Sequence, residues 1–357
     1  MSSTMHEVTP PLGREAPCNL TAYAAASAGT GRWLLSIVLI GAALRVAHLD
    51  GDALWMDEAF TWRWSHLPHA RLWGDATLFE SNPPLYYSLQ RLWLVFGDSE
   101  AALRSLSALF GVMTIPVVFL IGRTVGGARV GLLGAMLTAL HPFHLSYSQE
   151  ARTYALLGLS TAVAVLGLLR FLASQPGEDS RQAKSGTAQG RERRFAVEWI
   201  AANLLLLLAA SWWLPVLAWQ AGHPAMIRWL PQPDLIAAAR ELLTIHATRY
   251  LPRVSSFWPL FVLPMTGLIA AGAVLWICRR ERLGLVLLAF IVGVPLLTYL
   301  AGLAGRPLWM ARVLLWPVPL AMVAAAAVLA ALPRRVRVVA VAAVVAIQAA
   351  NIAAYYQ

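Results

Sequence analysis

Two neighbouring carboxylates, Asp57 and Glu58, stand in the string LWMDEAF with Trp55, Met56 and Phe60 around them. A carboxylate on an apolar rim holds its proton more readily than one in water, which suits a general base that must take a proton from a hydroxyl. The plain alternative is a solvated acidic pair among interfacial aromatics, and spacing alone favours neither. A third carboxylate, Glu80, opens ESNPPLYY. There Asn82 reads as a helix cap and the two prolines as first-turn residues, a reading that leaves Glu80 without a structural reason.

A second polar island, HPFHLSYSQEARTY, covers residues 141–154. If Tyr147 to Tyr154 is helical, then Tyr147, Glu150 and Tyr154 share a face. The plain reading makes Glu150 and Arg152 ordinary loop charges, which so dense a cluster at the end of a span argues against. His141 and His144 flank a proline turn, where two histidines more often satisfy local backbone than bind metal. Arg312, after GRPLWMA, reads either as a snorkelling flank residue or as a guanidinium fork for a phosphate. His246 and Arg249 read as surface residues.

The rest of the chain must hold these groups, and its composition says how. Of 357 residues, 59% are hydrophobic and 13% charged, against roughly a quarter charged in soluble domains. Apolar runs of about 20 residues recur, each long enough to cross a bilayer. The fold class is therefore all-α, a polytopic helical membrane protein. Nine spans are predicted at 33–49, 103–122, 130–145, 154–173, 199–219, 257–278, 283–303, 313–332 and 338–356. Residues 1–32 are expected to be a disordered cytoplasmic tail rather than a cleaved leader, and 33–357 a single membrane domain.

The net charge of +10 is carried mostly by arginine in short loops. Arg123 and Arg129, the 181–194 cluster, Arg279 to Arg282 and Arg334 to Arg337 all fall on one side of a nine-span chain. The positive-inside rule makes that side cytoplasm. The acidic loop 50–102 then faces outward, and it holds eight of the 18 carboxylates. Residues 174–194 form a flexible cytoplasmic linker. Within the outer loop, a helix of about 14 residues from Leu85 to a stop at Gly97 is too short to span and fits an interfacial helix. No basic stripe with interleaved aromatics and no nucleic-acid motif is present, so a nucleic-acid partner is excluded. The two cysteines, Cys18 and Cys278, define neither a disulfide framework nor a metal cluster.

Five strings in order, LRVAHLDGDALWMDEAF, ESNPPLYY, FGDSEAALRSLSALFG, HPFHLSYSQEARTYAL and RPLWMARVLLWPVPL, resemble the GT-C superfamily of membrane glycosyltransferases. The branch is similar to the bacterial mannosyltransferase-like proteins related to protein O-mannosyltransferases and to the lipid A aminoarabinose transferase. The likeness is dense over 40–172, thin from 195 to 300, and returns around 305–320. It implies a polyprenyl-phosphate sugar as donor and a lipid, glycan or protein hydroxyl as acceptor, with transfer on the outer face of a bacterial inner membrane and usually with inversion. Matched by position, Asp57 is the catalytic acid, Glu58 its neighbour and Glu80 the acid before the proline turn. Asn82, Tyr86, Tyr87, Arg104, Tyr147, Glu150, Arg152, Tyr154 and Arg312 form the expected substrate-binding set. No cofactor is required, and a divalent metal would be compatible although no ligand set is defined. One departure is visible. Relatives usually carry a further helix pair where this chain has only the 174–194 linker.

Chemistry points the same way. A sugar on a lipid phosphate already carries a good leaving group, so the enzyme needs a base for the acceptor and a cation for the departing phosphate. A flippase of the same lipid would also need a polar cavity, but would place ionisable groups near the membrane midplane, often in inverted repeats. An inactive scaffold derived from the enzyme is the third reading.

Overall fold

The computed structural model describes residues 20–74, 78, 80, 82–174, 194, 197–198, 200–201, 203–205, 207–208, 211–223, 232–248, 258–305 and 308–356. Among these residues every regular element is a helix: α1 Leu20–Val46, α2 Met56–Ser65, α3 His69–Leu72, α4 Leu85–Trp93, α5 Glu100–Ala139, α6 Pro142–Ser148, α7 Tyr154–Ser174, α8 Leu214–Gly222, α9 Leu235–Ile245, α10 Trp258–Cys278, α11 Arg282–Leu303, α12 Pro317–Ala331 and α13 Arg334–Tyr355. Six of them are long and apolar enough to cross a membrane, and α12 is apolar but shorter. The predicted span at 199–219 lies partly outside the described residues, as do Arg249, Cys18 and most of the 174–194 linker.

Helix α5 runs for 40 residues but is broken at Gly126 and Gly127. Gly127 has φ +83°, which glycine alone adopts without strain. The chain turns back there. A Cβ at Gly122 would lie 2.8 Å from the Cα of Gly131, so the two limbs are antiparallel and in backbone contact. The limbs correspond to the separate spans expected at 103–122 and 130–145.

Helix α12 is the hub. It packs on α5, α10 and α11, and every side chain from Pro317 to Ala327 is buried. An apolar helix without a polar face belongs in the interior, and its alanine run lets neighbouring backbones approach closely, the usual packing device in a membrane. Before α12 the chain is irregular from Leu308 to Met310 and then 3-10 helical over Ala311–Leu315. Non-α backbone next to membrane spans is tolerated where it lines a cavity or is buried in protein. Leu314 and Leu315 are buried, while Trp309 and Arg312 line cavities.

The ends of α1, α5, α7 and α13 converge on the 50–102 segment. Tyr356 donates to the carbonyl of Leu44, and Gln149 Nε2 donates to the carbonyls of Arg45 (3.2 Å) and Ala47 (2.6 Å), capping the end of α1. At the opposite helix ends, the Arg129, Arg279 and Glu281 segments meet Ala330 and Ala331 around a separate cavity of about 220 Å³. Three of the four cationic turns therefore gather at one end of the bundle.

Several sequence expectations change. Helix α1 begins by Leu20, inside the expected tail, because its Ala-rich run is a strong helix former despite low hydropathy. Asn82 is not a cap. Helix α4 starts after Pro84 with no side-chain cap, and Asn82 instead donates to Glu80 Oε1 at 2.8 Å. Helix α4 then tightens into a 3-10 turn, Leu94–Phe96, and ends at Gly97 with φ +113°. Residues 147–154 are not one helix, since 149–153 turn between α6 and α7. His246 is buried rather than on the surface, its carbonyl accepting from His141 Nε2 at 3.0 Å.

Candidate active site

Helix α2 places Asp57 and Glu58 in its first turn, and the two adjacent side chains go to different partners. Glu58 is 1% exposed. Its Oε1 accepts from Arg104 Nε at 2.9 Å and from the Ala151 N–H at 2.9 Å, and its Oε2 from Arg104 Nη2 at 2.7 Å. It also accepts from the Trp55 N–H at 3.4 Å, the reciprocal arm of a helix cap. Arg104 spends its remaining donors on the carbonyls of Leu49, Asp52 and Ala53 at 2.8, 2.8 and 3.2 Å. This buried pair ties α2, α5, the 49–53 turn and the turn before α7 together.

Asp57 turns the other way. Its Oδ2 accepts from Arg312 Nη1 at 2.7 Å and lies 3.9 Å from Arg152 Nη2. Arg152 Nη1 reaches the Asp57 carbonyl at 3.2 Å and the Tyr87 hydroxyl at 3.3 Å. The Cζ atoms of Arg152 and Arg312 each lie 5.9 Å from the centre of the Tyr154 ring, within cation–π range. Asp57 thus meets Arg312 from 255 positions away, and Arg152 and Arg312 share one carboxylate.

The electrostatics favour charged arginines and neutral phenols. Burial works against the Arg152 charge, but Tyr87, Tyr154, Glu80 and Asp57 outweigh it and raise its pKa. Burial, then the Glu80 charge, holds the Tyr87 phenol well above its ordinary range, so it stays a neutral hydroxyl. Glu80 is the remaining acid near Arg152, and its Oε1 holds the Asn82 N–H at 3.1 Å as well as the Asn82 amide.

Beside Arg312 opens a polar cavity of about 410 Å³ lined by His48, Asp52, Tyr147, Glu150, Arg312 and Tyr355, with the Glu58–Arg104 pair in its wall. An apolar groove of about 420 Å³ lies between α9, α10 and α11, with Trp309 and His246 on its wall. The short stretch from Trp309 to Arg312 borders both.

The motif QEAR resolves into four jobs. Gln149 caps α1, Glu150 faces the polar cavity, Ala151 lends its N–H to Glu58, and Arg152 meets Asp57. Of the residues singled out from sequence, Asp57, Glu80, Asn82, Tyr87, Arg152, Tyr154 and Arg312 come together. Tyr147 and Glu150 sit in the adjoining cavity, where the Tyr147 ring lies 5.3 Å from that of Tyr154. Tyr86 faces away and pairs with Ser107 at 2.7 Å in a buried contact. Glu58 and Arg104 are occupied by each other.

Three lining residues, His48, Asp52 and Tyr355, carried no sequence signal strong enough to single them out. Arg45 was also missed. It is fully buried in α1, bonding the Thr138 and Ala139 carbonyls at 3.3 and 3.1 Å and His144 Nδ1 at 2.9 Å. Its signal was an arginine inside an apolar run.

Among the described residues no group of three or more His, Cys, Asp or Glu is placed to hold a metal ion. Two guanidinium groups around Asp57 also make it a poor seat for a dication, since like charges repel.

Residues 81–179 match the family model described as dolichyl-phosphate-mannose-protein mannosyltransferase. No curated protein matches. The fold is similar to that of ArnT from Cupriavidus metallidurans in its apo state, at 17% identity and a TM-score of 0.52, covering 87% of this chain and 61% of that one. It is also similar to the Archaeoglobus fulgidus oligosaccharyltransferase in complex with Zn and sulfate, at 17% identity and a TM-score of 0.51, covering 91% of this chain and 52% of that one. The chain therefore spans about 61% and 52% of the lengths of these structures. The structural matches show the likeness of fold, and six helices of the described residues are long and apolar enough to cross a membrane.

Proposed function

We propose that the chain is a membrane glycosyltransferase that moves a sugar, mannose or a similar hexose or pentose, from a polyprenyl-phosphate donor to an acceptor hydroxyl. The acceptor is a lipid, glycan or protein. The reaction site faces the exterior of a bacterial inner membrane, with the N-terminus and the cationic turns in the cytoplasm.

One observation carries this reading: a partly exposed carboxylate, Asp57, faces Arg152 and Arg312, and Arg312 lines a polar cavity three residues after Trp309 lines an apolar groove. The groove suits an isoprenoid chain, the arginines its phosphate and the polar cavity its sugar. In the reaction Asp57 takes the proton of the acceptor hydroxyl. The acceptor oxygen bonds to the anomeric carbon as the bond from that carbon to the phosphate oxygen breaks. The electron pair leaves with the phosphate, whose growing charge falls on Arg152 and Arg312. Preorganised cations at the point where charge develops commonly supply the largest share of such catalysis. Glu58 and Arg104 hold this arrangement in place rather than touching substrate, because all their strong bonds are internal. Glu80 and Tyr87 complete the polar wall around Arg152.

The test is purified protein in lipid with a panel of polyprenyl-phosphate sugars, watching for release of polyprenyl phosphate. Asp57→Asn should lower turnover by about two to four orders of magnitude, the usual worth of a general base. Full activity in that variant would move the base elsewhere, with Glu80 and Glu150 next. Movement of the intact lipid-linked sugar across vesicles with no release of lipid phosphate would make the protein a flippase.

A further inference from the structure

Asp57 is the proposed base, yet it is also the strongest partner of the proposed phosphate clamp. Arg312 Nη1 donates to its Oδ2 at 2.7 Å, a short charge-assisted bond. Arg152 holds its backbone carbonyl at 3.2 Å and lies 3.9 Å from the same oxygen. The N–H groups that a donor phosphate requires are the ones the carboxylate already uses.

Building on the donor reading above, we infer that Asp57 and the donor phosphate compete for Arg312, so that donor binding is what frees the base. The local charges favour exchange over addition. Two guanidinium groups already face Asp57, and Glu80 lies near Arg152, so an arriving phosphodiester must displace a carboxylate to gain a full counter-charge. Arg152 also keeps an unused donor, its Nε, which is buried with no hydrogen-bond partner. A phosphate that takes Arg312 Nη1 releases Asp57 Oδ2 toward the acceptor hydroxyl.

The same exchange works through the transfer itself. When Asp57 accepts the acceptor's proton it becomes neutral and stops drawing on the arginines. At that moment the leaving phosphate gains its second negative charge and needs them most. The acceptor is thus activated only when a donor is in place, which suppresses unproductive proton uptake by an empty clamp. Coupling of this kind is reciprocal, so whatever removes the Asp57 charge must tighten phosphate binding.

This predicts opposite movements in binding and turnover from one substitution. The probe is undecaprenyl phosphate without sugar, titrated into wild type, Asp57→Asn and Arg312→Lys in nanodiscs and followed by tryptophan fluorescence. Asp57→Asn should bind about two- to fivefold more tightly, the scale of one partly exposed ion pair, although its transfer activity is lost. Arg312→Lys should bind more weakly than wild type. Asp57→Ser gives the same reading should the Asn variant fold poorly. Unchanged or weaker binding in the Asp57 variants, with Arg312→Lys still weakened, overturns the competition and leaves the phosphate clamp standing. No binding to wild type or to any variant overturns the donor reading, and the inference with it.

Discussion

Replacing Glu58 by glutamine should damage the protein more than replacing Asp57 by asparagine, though the two residues are adjacent. Glu58 is 1% exposed and takes two bonds from Arg104 at 2.9 and 2.7 Å plus one from the Ala151 N–H at 2.9 Å. Glutamine has one acceptor oxygen instead of two, and its amide N–H groups would face the donors of Arg104. The guanidinium would stay buried without a counter-charge, and breaking a buried pair in this way costs about 3–5 kcal/mol. The side chain of Asp57 is 21% exposed, and its pair with Arg312 is worth about 1 kcal/mol or less to stability. At roughly 2–4 °C per kcal/mol for a chain of a few hundred residues, Glu58→Gln should lower the melting temperature by about 6–20 °C and Asp57→Asn by about 4 °C or less. The assay is heating in detergent followed by size-exclusion of a fluorescent fusion. Adding Arg104→Gln to Glu58→Gln should cost much less than the sum of the two single changes, because the second removes the stranded charge. A Glu58→Gln protein that melts with wild type but no longer transfers sugar would refute the reasoning, and would place Glu58 against substrate.

Two further outcomes can be checked. Arg152→Lys and Arg312→Lys keep the charge but lose the fork, so donor affinity should fall about tenfold in each; wild-type affinity in both would remove the clamp. Single cysteines at Ala70 and Ala188, in a background without Cys18 and Cys278, should label from opposite sides of sealed vesicles with an impermeant thiol reagent, and labelling from one side would sink the proposed topology.

Most of the helical framework was readable because it rests on hydropathy, which needs no partner to be known. The runs that became α7, α10 and α11 agree with their predicted ends within one residue. The turn at Gly126–Gly127 was marked by paired glycines between arginines. Failures came where a local rule met a competing one. Asn82 has the form of a helix cap, but its amide Nδ2 donates to the Glu80 carboxylate two residues back, and the helix starts after Pro84 without a side-chain cap. Residues 20–32 looked polar enough for a tail, and low hydropathy hid good helix propensity.

The site was legible as an inventory and opaque as a circuit. Asp57, Arg152 and Arg312 each stood out as charges at the ends of apolar runs, and each is found at one junction. Which charge neutralises which depends on crossings between segments up to 255 positions apart, and no local pattern encodes those. The DE pair shows the consequence. Neighbours in a first helical turn point about 100° apart around the axis, so one carboxylate can be buried against Arg104 while the other stays partly exposed beside Arg312. Sequence puts Asp57 and Glu58 in a single acidic feature; the helix divides them between the two arginines of the candidate site and the buried strut of Arg104. Under the proposed mechanism the separation is useful, because a base must change its charge during each turnover, and a residue holding together α2, α5 and the turn before α7 must not. Fixing Glu58 as the permanent counter-ion leaves Asp57 free to lose its charge without loosening the fold.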